Sequence, residues 1–335
     1  MFPYFYPTTV AIIDDDLRFL ESFDELLRRD FIVRRFASPQ LGLNHLVGAD
    51  AEHLSRIARL GTYASAYRST ADEYDRLQIL LSSHISQLRG YSKRFETVSV
   101  AIVDLNMPGV DGLMICRALR RRPVRTILLT GNASEKLALN AFNEGLIDRF
   151  VSKHEPDLMD LVASHVRDLQ DAYFRRITTT IKDTLSLSAL RFMREGRFLQ
   201  YFSDLCATRH VVEYYIKTEP PGVEIIRADG ETFLLVVLGP ERIDECIAAA
   251  RNAGADPDML KAMDSGEIVT HFPTESGLYS PLFQETWRKY AFPATAVVGN
   301  ERWLTAILKP TDIRPLPLQD FVSFDAFVSE QQDAL

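Results

Sequence analysis

Several residues able to do chemistry stand where apolar runs stop. Val10-Ala11-Ile12-Ile13 ends in Asp14-Asp15-Asp16, and Val98–Val103 ends in Asp104. The run Thr126–Thr130 closes on a threonine hydroxyl, Thr130, and Arg149-Phe150-Val151-Ser152 is followed by Lys153. The runs are short and their central residues mostly apolar, as expected of strands buried on both faces of a parallel sheet. In open α/β sheets, ligands and chemistry collect at the C-terminal ends of such strands. Carboxylates, a hydroxyl and an amine can therefore meet at one sheet edge. There they offer oxygen ligands, a hydrogen-bond donor and a cation.

The elements between these residues fit that arrangement. Leu17, Leu20, Phe23 and Leu27 recur at helical spacing behind Asp16, which is placed to cap the helix. Ile32–Phe36 reads as a second strand, and Ser38-Pro39 as an N-cap with proline in the first helical position. Leu113–Arg121 reads as a helix, and Ser134 as the cap of another that Gly145 ends. After Asp104 comes Met107-Pro108-Gly109, a turn built on proline's fixed φ and glycine's freedom, and then Asp111-Gly112.

The stretch VSVAIVDLNMPGVDG resembles the phosphoacceptor strand of the receiver domains of bacterial two-component response regulators, whose pattern is apolar strand, Asp, two residues, Met-Pro-Gly, one residue, Asp-Gly. The rest of that family's set follows in order. Thr130 lies 26 residues after Asp104, and Lys153 lies 23 residues after Thr130. The resemblance implies a doubly wound, five-stranded parallel CheY-like sheet. It makes Asp104 the phosphoacceptor and Asp14 and Asp15 a metal-binding pair, with the Asn106 backbone carbonyl completing the protein ligands of a Mg²⁺ ion. Lys153 and Thr130 would hold phosphoryl oxygens, and Phe150 would be a switching aromatic. The domain is then expected to catalyse its own phosphoryl transfer and slow dephosphorylation, with a sensor histidine kinase or phosphotransfer protein as donor. Taken singly, each residue has an ordinary reading: acids decorating a helix N-terminus, a strand-end threonine, a core phenylalanine, a solvated lysine.

The sequence departs from the family pattern twice. Asp15 and Asp104 are 89 residues apart, which leaves about 40 residues inserted before the phosphoacceptor strand. Within this insertion, about 40–95, Tyr67, Tyr74, Leu81 and Leu88 repeat every seven residues. That pattern predicts a long amphipathic helix over roughly 62–90 and a shorter one near 51–60, either covering its own domain or offering a dimerisation face. The family lysine is usually followed by a cis proline, and here His154 follows. A cis bond before a non-proline residue costs about 2.5–4 kcal/mol, so this loop is expected to be trans, which leaves the aim of Lys153 open.

The expected organisation is a receiver over 1–155, a long connecting helix over 156–185 and an α+β output domain over 186–335. In the last, a helix is predicted over Ser188–Thr208, strands over Val211–Ile216, Val223–Arg227, Thr232–Leu238, Thr295–Val298 and Trp303–Leu308, and helices over Glu241–Ala253 and from Asp256-Pro257 to Met263. This layout is similar to quorum-sensing response regulators of the Legionella type. The second half contains no Walker glycine loop, HExxH, CxxC or serine elbow, and no GGDEF-like, EAL-like or HD-type signature. No dedicated catalytic output is therefore expected.

Composition bounds the remaining options. The 335 residues are 46% hydrophobic and 25% charged, and no apolar run is long enough for a bilayer. Three cysteines and the lack of a basic leader segment suggest a reducing, cytoplasmic setting. The net charge of −8 falls entirely on residues 184–335, where 14 Lys/Arg face 22 Asp/Glu. An acidic half of this kind makes nucleic acid an unfavoured partner. The expected output is protein association, with a homodimer the first choice. The alternatives are a constitutive scaffold with a degenerate receiver, or a nucleotide- or DNA-binding output.

Overall fold

A computed structural model describes residues 1–48, 85, 87–131, 135–184, 188–309 and 321–333. The chain forms two compact units. One comprises Tyr6–Thr62 and Ser92–Thr180; the other comprises Met1–Phe5, Tyr63–Tyr91 and Ile181–Leu335.

The first unit is built on a five-stranded, all-parallel sheet. Its strands are β2 (Thr9–Ile13), β3 (Ile32–Phe36), β4 (Val98–Asp104), β5 (Arg125–Thr130) and β6 (Arg149–Ser152), in the spatial order β3-β2-β4-β5-β6. β2 and β4 are buried along their whole length, which accounts for their largely apolar runs. Alternate residues serve opposite faces. Ala11, Ile13, Ala101, Val103 and Leu128 pack with Leu46, Ile115, Leu119 and Ala138 of three helices on one side. Val10, Ile12, Val100, Ile102, Ile127 and Leu129 pack with Leu20, Phe23, Val162 and Val166 on the other. This is the doubly wound fold expected from the sequence.

The helices start where the sequence places caps. The Asp16 carboxylate accepts the N–H groups of Arg18 and Phe19 at the head of helix Leu17–Leu27. Residues 39–48 are helical, opening at Pro39. Asp111 caps helix Gly112–Leu119 by accepting the Leu113 N–H. Helix Glu135–Asn143 follows β5, and Gly145 stands in the left-handed region (φ 64°) just beyond its end. A single 27-residue helix, Leu158–Thr184, follows β6. The Ser134 cap, the short helix near 51–60 and most of the helix at 62–90 lie outside the described residues; Ile85 and residues 87–89 are helical.

The second unit is an α+β fold on a six-stranded antiparallel sheet. β7 (Val211–Thr218), β8 (Pro221–Arg227), β9 (Thr232–Leu238), β12 (Thr295–Val298) and β13 (Arg302–Leu308) appear at the expected places, and β10 (Ile268–Thr270) with β11 (Ala291–Pro293) makes a separate ribbon. Helices Pro240–Asn252 and Pro257–Ser265 cover one face, with Asp256 capping the second by accepting the Asp258 N–H.

Three features depart from the expectations. The helix predicted over Ser188–Thr208 is a 3-10 turn, Ser188–Arg194, followed by helix Gly196–Arg209. The break falls at Glu195, which is extended and whose carboxylate accepts the Asn300 N–H of the β12–β13 turn (3.2 Å), a tertiary bond no local pattern announces. β1 (Tyr4–Phe5), close to the start of the chain, pairs antiparallel with β7 and forms an edge of the sheet. The acidic tail carries a helix, Phe324–Asp333. Among the described residues no helix is long and apolar enough to cross a membrane.

Candidate functional site

Parallel register brings the chemically able residues together. Ile13 of β2 pairs with Val103 of β4, Asp104 with Leu129 of β5, and Thr130 with Ser152 of β6. Asp14, Asp104, Thr130 and Lys153 therefore sit at the C-terminal edge of four adjacent strands.

Lys153 is the centre of the cluster. Its Nζ lies 2.7 Å from Asp14 Oδ2 and 2.7 Å from Asp104 Oδ1, and 4.6 Å from the centre of the Phe19 ring. The lysine reaches the acids even though His154 follows it: the one cis bond among the described residues precedes Pro220. A turn does the aiming. The Lys153 N–H donates to the Thr130 carbonyl (2.8 Å), and the His154 N–H, which a proline would lack, donates to Ser152 Oγ (3.3 Å). Burial works against the ammonium, but hydrogen bonds to Asp104 and Asp14 outweigh it and hold the Lys153 pKa above its ordinary value.

The two acids differ in surroundings. Asp14 is 1% exposed, and its Oδ1 accepts the Asp16 N–H. Burial pushes its carboxyl above the usual range, and the Lys153 and Asp16 hydrogen bonds offset this only in part. Asp104 Oδ2 accepts the Asn106 N–H (3.0 Å), so the loop's own backbone orients the carboxylate. Asn106 bridges to Asp111 across the Met107-Pro108-Gly109 turn, where Gly109 is left-handed (φ 78°). Gly112 is required by close approach: a Cβ there would meet the Asp104 carbonyl oxygen at 2.1 Å.

Asp15 is exposed beside this pair. Oxygens of Asp14, Asp15 and Asp104 lie within 4.8 Å of one another, close enough to share one cation. An all-oxygen, carboxylate-rich set suits a hard divalent ion.

Thr130 is fully buried, and its Oγ1 has no hydrogen-bond partner among the described residues. An orphaned buried hydroxyl is costly, and native structures keep few of them. Phe150 is half-buried. Since Leu128 is its register partner, it lies on the same sheet face as Thr130, and its ring meets Phe142 edge-on at 6.1 Å. The structure thus brings Asp14, Asp15, Asp104 and Lys153 together, with Thr130 at the same sheet edge, the Asn106 N–H on Asp104, and Phe150 on the sheet face of Thr130. It adds two that sequence reasoning missed. Phe19 supports the lysine, and Ser152 fixes the turn behind it; neither carries a distinguishing signal in its neighbourhood.

Comparison with known proteins finds likenesses over the stretch that carries part of this site. The response regulator receiver domain model matches residues 67–164, a stretch holding Asp104, Thr130 and Lys153. Over 98% of this chain and 96% of the other, the fold is similar to that of the Legionella pneumophila response regulator LqsR, with a TM-score of 0.78 and 27% identity. The chain carries a response regulator receiver domain. β2, helix Leu17–Leu27 and β3, with Asp14 and Asp15, precede the matched stretch. The transcriptional regulatory protein TctD of Salmonella typhimurium is 30% identical over 115 residues, 34% of this chain and 48% of TctD. The chain thus spans about half the length of the curated relatives it matches.

Proposed function

We propose that this protein is a phosphorylation-dependent response regulator of a two-component system, with Asp104 as the phosphoacceptor. The observation that carries the reading is Lys153 Nζ, 2.7 Å from both Asp14 and Asp104, beside the partnerless buried hydroxyl of Thr130. In the transfer, an Asp104 oxygen attacks the phosphorus of a kinase or phosphotransfer-protein phosphohistidine. The P–N bond breaks, and the imidazole nitrogen leaves with the bonding pair. Bound at Asp14, Asp15, Asp104 and the Asn106 carbonyl, Mg²⁺ would neutralise the charge that builds up between the carboxylate and the phosphoryl oxygens. Lys153 already faces Asp104 and is placed to follow a phosphoryl oxygen. The Thr130 hydroxyl, which makes no bond in this state, is free to donate to another. Its movement inward would open space for Phe150 on the same face, which gives the new charge a two-state surface to bias.

The output we propose is protein association through a homodimer. The acidic second half supports a protein partner over nucleic acid. Placement in a quorum-sensing pathway and in the cytoplasm belongs to the same proposal.

The test of phosphotransfer is intact-protein mass after incubation with acetyl phosphate and Mg²⁺. The wild type gains one phosphoryl group and Asp104→Asn gains none. Equal labelling of both would overturn the assignment. Light scattering after size-exclusion chromatography, with and without beryllofluoride, tests the output: a change of mass supports dimerisation as the response, and an unchanged mass moves the output to another partner.

A further inference from the structure

The two strands that carry the site's buried carboxylates have one more property in common. Each is entered from a segment that belongs to the other compact unit. Tyr4–Phe5, three residues before β2, is the edge strand β1 of the antiparallel sheet. Tyr4 faces Tyr215 of β7 across that pairing, Phe5 stacks on Tyr214 at 5.8 Å, and the Ile216 N–H donates to the Pro3 carbonyl (2.9 Å). The helical turn containing Leu88 and Arg89, upstream of β4, is the second such segment. Ile85 and Leu88 are buried, and Arg89 Nε lies 3.2 Å from Glu224 Oε1 of β8. The guanidinium also stacks over the Phe321 ring at 4.5 Å. Both side chains of the Arg89–Glu224 pair are largely buried. An ion pair in that position is costly to break from one side, since it strands a desolvated charge.

Glu224 is directly opposite Tyr215 in the β7–β8 register, and Tyr215 is directly opposite Tyr4. The two entering segments therefore converge on one corner of the sheet. The hydroxyl of Tyr215 donates to Glu213 Oε2 there (2.8 Å), and Glu213 and Lys217 are buried on the same face. The chain also passes between the units at 180/181, inside the unbroken helix Leu158–Thr184. The covalent path from this corner back to the acids is short: β1 leads to Asp14 through β2, and Arg89 leads to Asp104 through the 3-10 turn Arg94–Glu96 and β4.

We propose that this corner of the C-terminal sheet is the receiving element of the switch. In this account the Arg89–Glu224 pair and the β1–β7 pairing are coupled to the charge state at Asp104 through β4 and β2. The proposal rests on the phosphoacceptor reading and adds the segment that responds to it. Coupling of this kind is reciprocal: if binding at Asp104 biases the corner, a perturbation of the corner at Glu224 biases binding at Asp104.

The test is hydrogen exchange of the full chain with Mg²⁺ and beryllofluoride as the phosphoryl mimic. Protection is expected to change in the 104–112 loop and also in peptides covering 1–8, 85–91 and 211–227. In Glu224→Gln, which keeps the side chain's shape, and in Arg89→Lys, which keeps its charge, the apparent beryllofluoride affinity is expected to shift fivefold or more, with the 104–112 response retained. Changed protection at 104–112 with none in the other peptides, and affinities within twofold of wild type, would overturn the coupling and leave the phosphoacceptor reading standing. No response at 104–112 in the wild type would overturn both.

Discussion

Lys153 Nζ stands 2.7 Å from Asp14 Oδ2 and 2.7 Å from Asp104 Oδ1, so one ammonium bridges carboxylates from two neighbouring strands. In the present state the lysine does alone the neutralising that it would share with a divalent cation in a phosphorylated site. Lys153→Met leaves the two acids facing each other without a counter-ion. It is expected to lower stability by about 2–3 kcal/mol, less than the roughly 3–5 kcal/mol cost of breaking a fully buried pair because the lysine is partly exposed. Added Mg²⁺ should restore part of that loss. Urea unfolding with and without Mg²⁺ checks both points, and an undiminished midpoint without the ion would contradict the bridge.

Thr130→Val should separate stability from function. The hydroxyl is buried without a partner, so an isosteric methyl removes a desolvation penalty of roughly 1 kcal/mol or more. The variant is expected to unfold at higher urea than wild type while holding a phosphoryl group or beryllofluoride less well. A destabilised Thr130→Val would mean that the hydroxyl already has a role in the unphosphorylated fold.

The pH dependence at Asp14 has a defined sign. Burial raises its carboxyl pKa in the folded chain, so the folded state holds the proton more tightly than the unfolded state. The stability tied to that proton is present below the ordinary carboxylate value and is lost as pH rises through the elevated folded value. Asp14→Asn should therefore flatten the stability profile in the window just above the ordinary carboxylate range and weaken divalent-cation binding. A profile identical to wild type across that window would contradict the assignment.

Gly112→Ala should act at a distance from the chemistry. Its methyl would meet the Asp104 carbonyl oxygen at 2.1 Å, so the start of helix Gly112–Leu119 must move. Overpacking of this sort costs about 1–3 kcal/mol, and it would shift the backbone that orients Asp104. The expected outcome is a lower melting temperature together with slower labelling. Normal labelling would show that the loop absorbs the displacement.

The receiver half was legible because its chemistry is local to strand ends. An apolar run that stops on Asp104 or Thr130 states both the strand and the residue it presents, and Asp16 and Asp111 announce the helices that follow. The aim of Lys153 was not legible, because it is set by a backbone bond to Thr130 and by Ser152 taking the N–H of His154, neither of which has a spacing signature. Phe19 was hidden for a similar reason: it reads as one more apolar residue in an amphipathic helix. In the second unit, β7, β8, β9, β12 and β13 could be read from their alternation and turns. The pairing of Tyr4–Phe5 with β7 could not, since two residues carry no period and their partner lies some two hundred positions away. The helix break at Glu195 is likewise decided by the Asn300 N–H, a contact between segments distant in sequence.

The central claim is that Asp104 forms an acyl phosphate. Treating the acetyl-phosphate-labelled protein with borohydride reduces an aspartyl phosphate to homoserine, which tandem mass spectrometry can locate. The account predicts homoserine at position 104 and at no other aspartate, dependent on Mg²⁺ and absent from Lys153→Met at matched times. Homoserine at Asp14 or Asp15, or none under conditions where a control receiver domain is labelled, would contradict it.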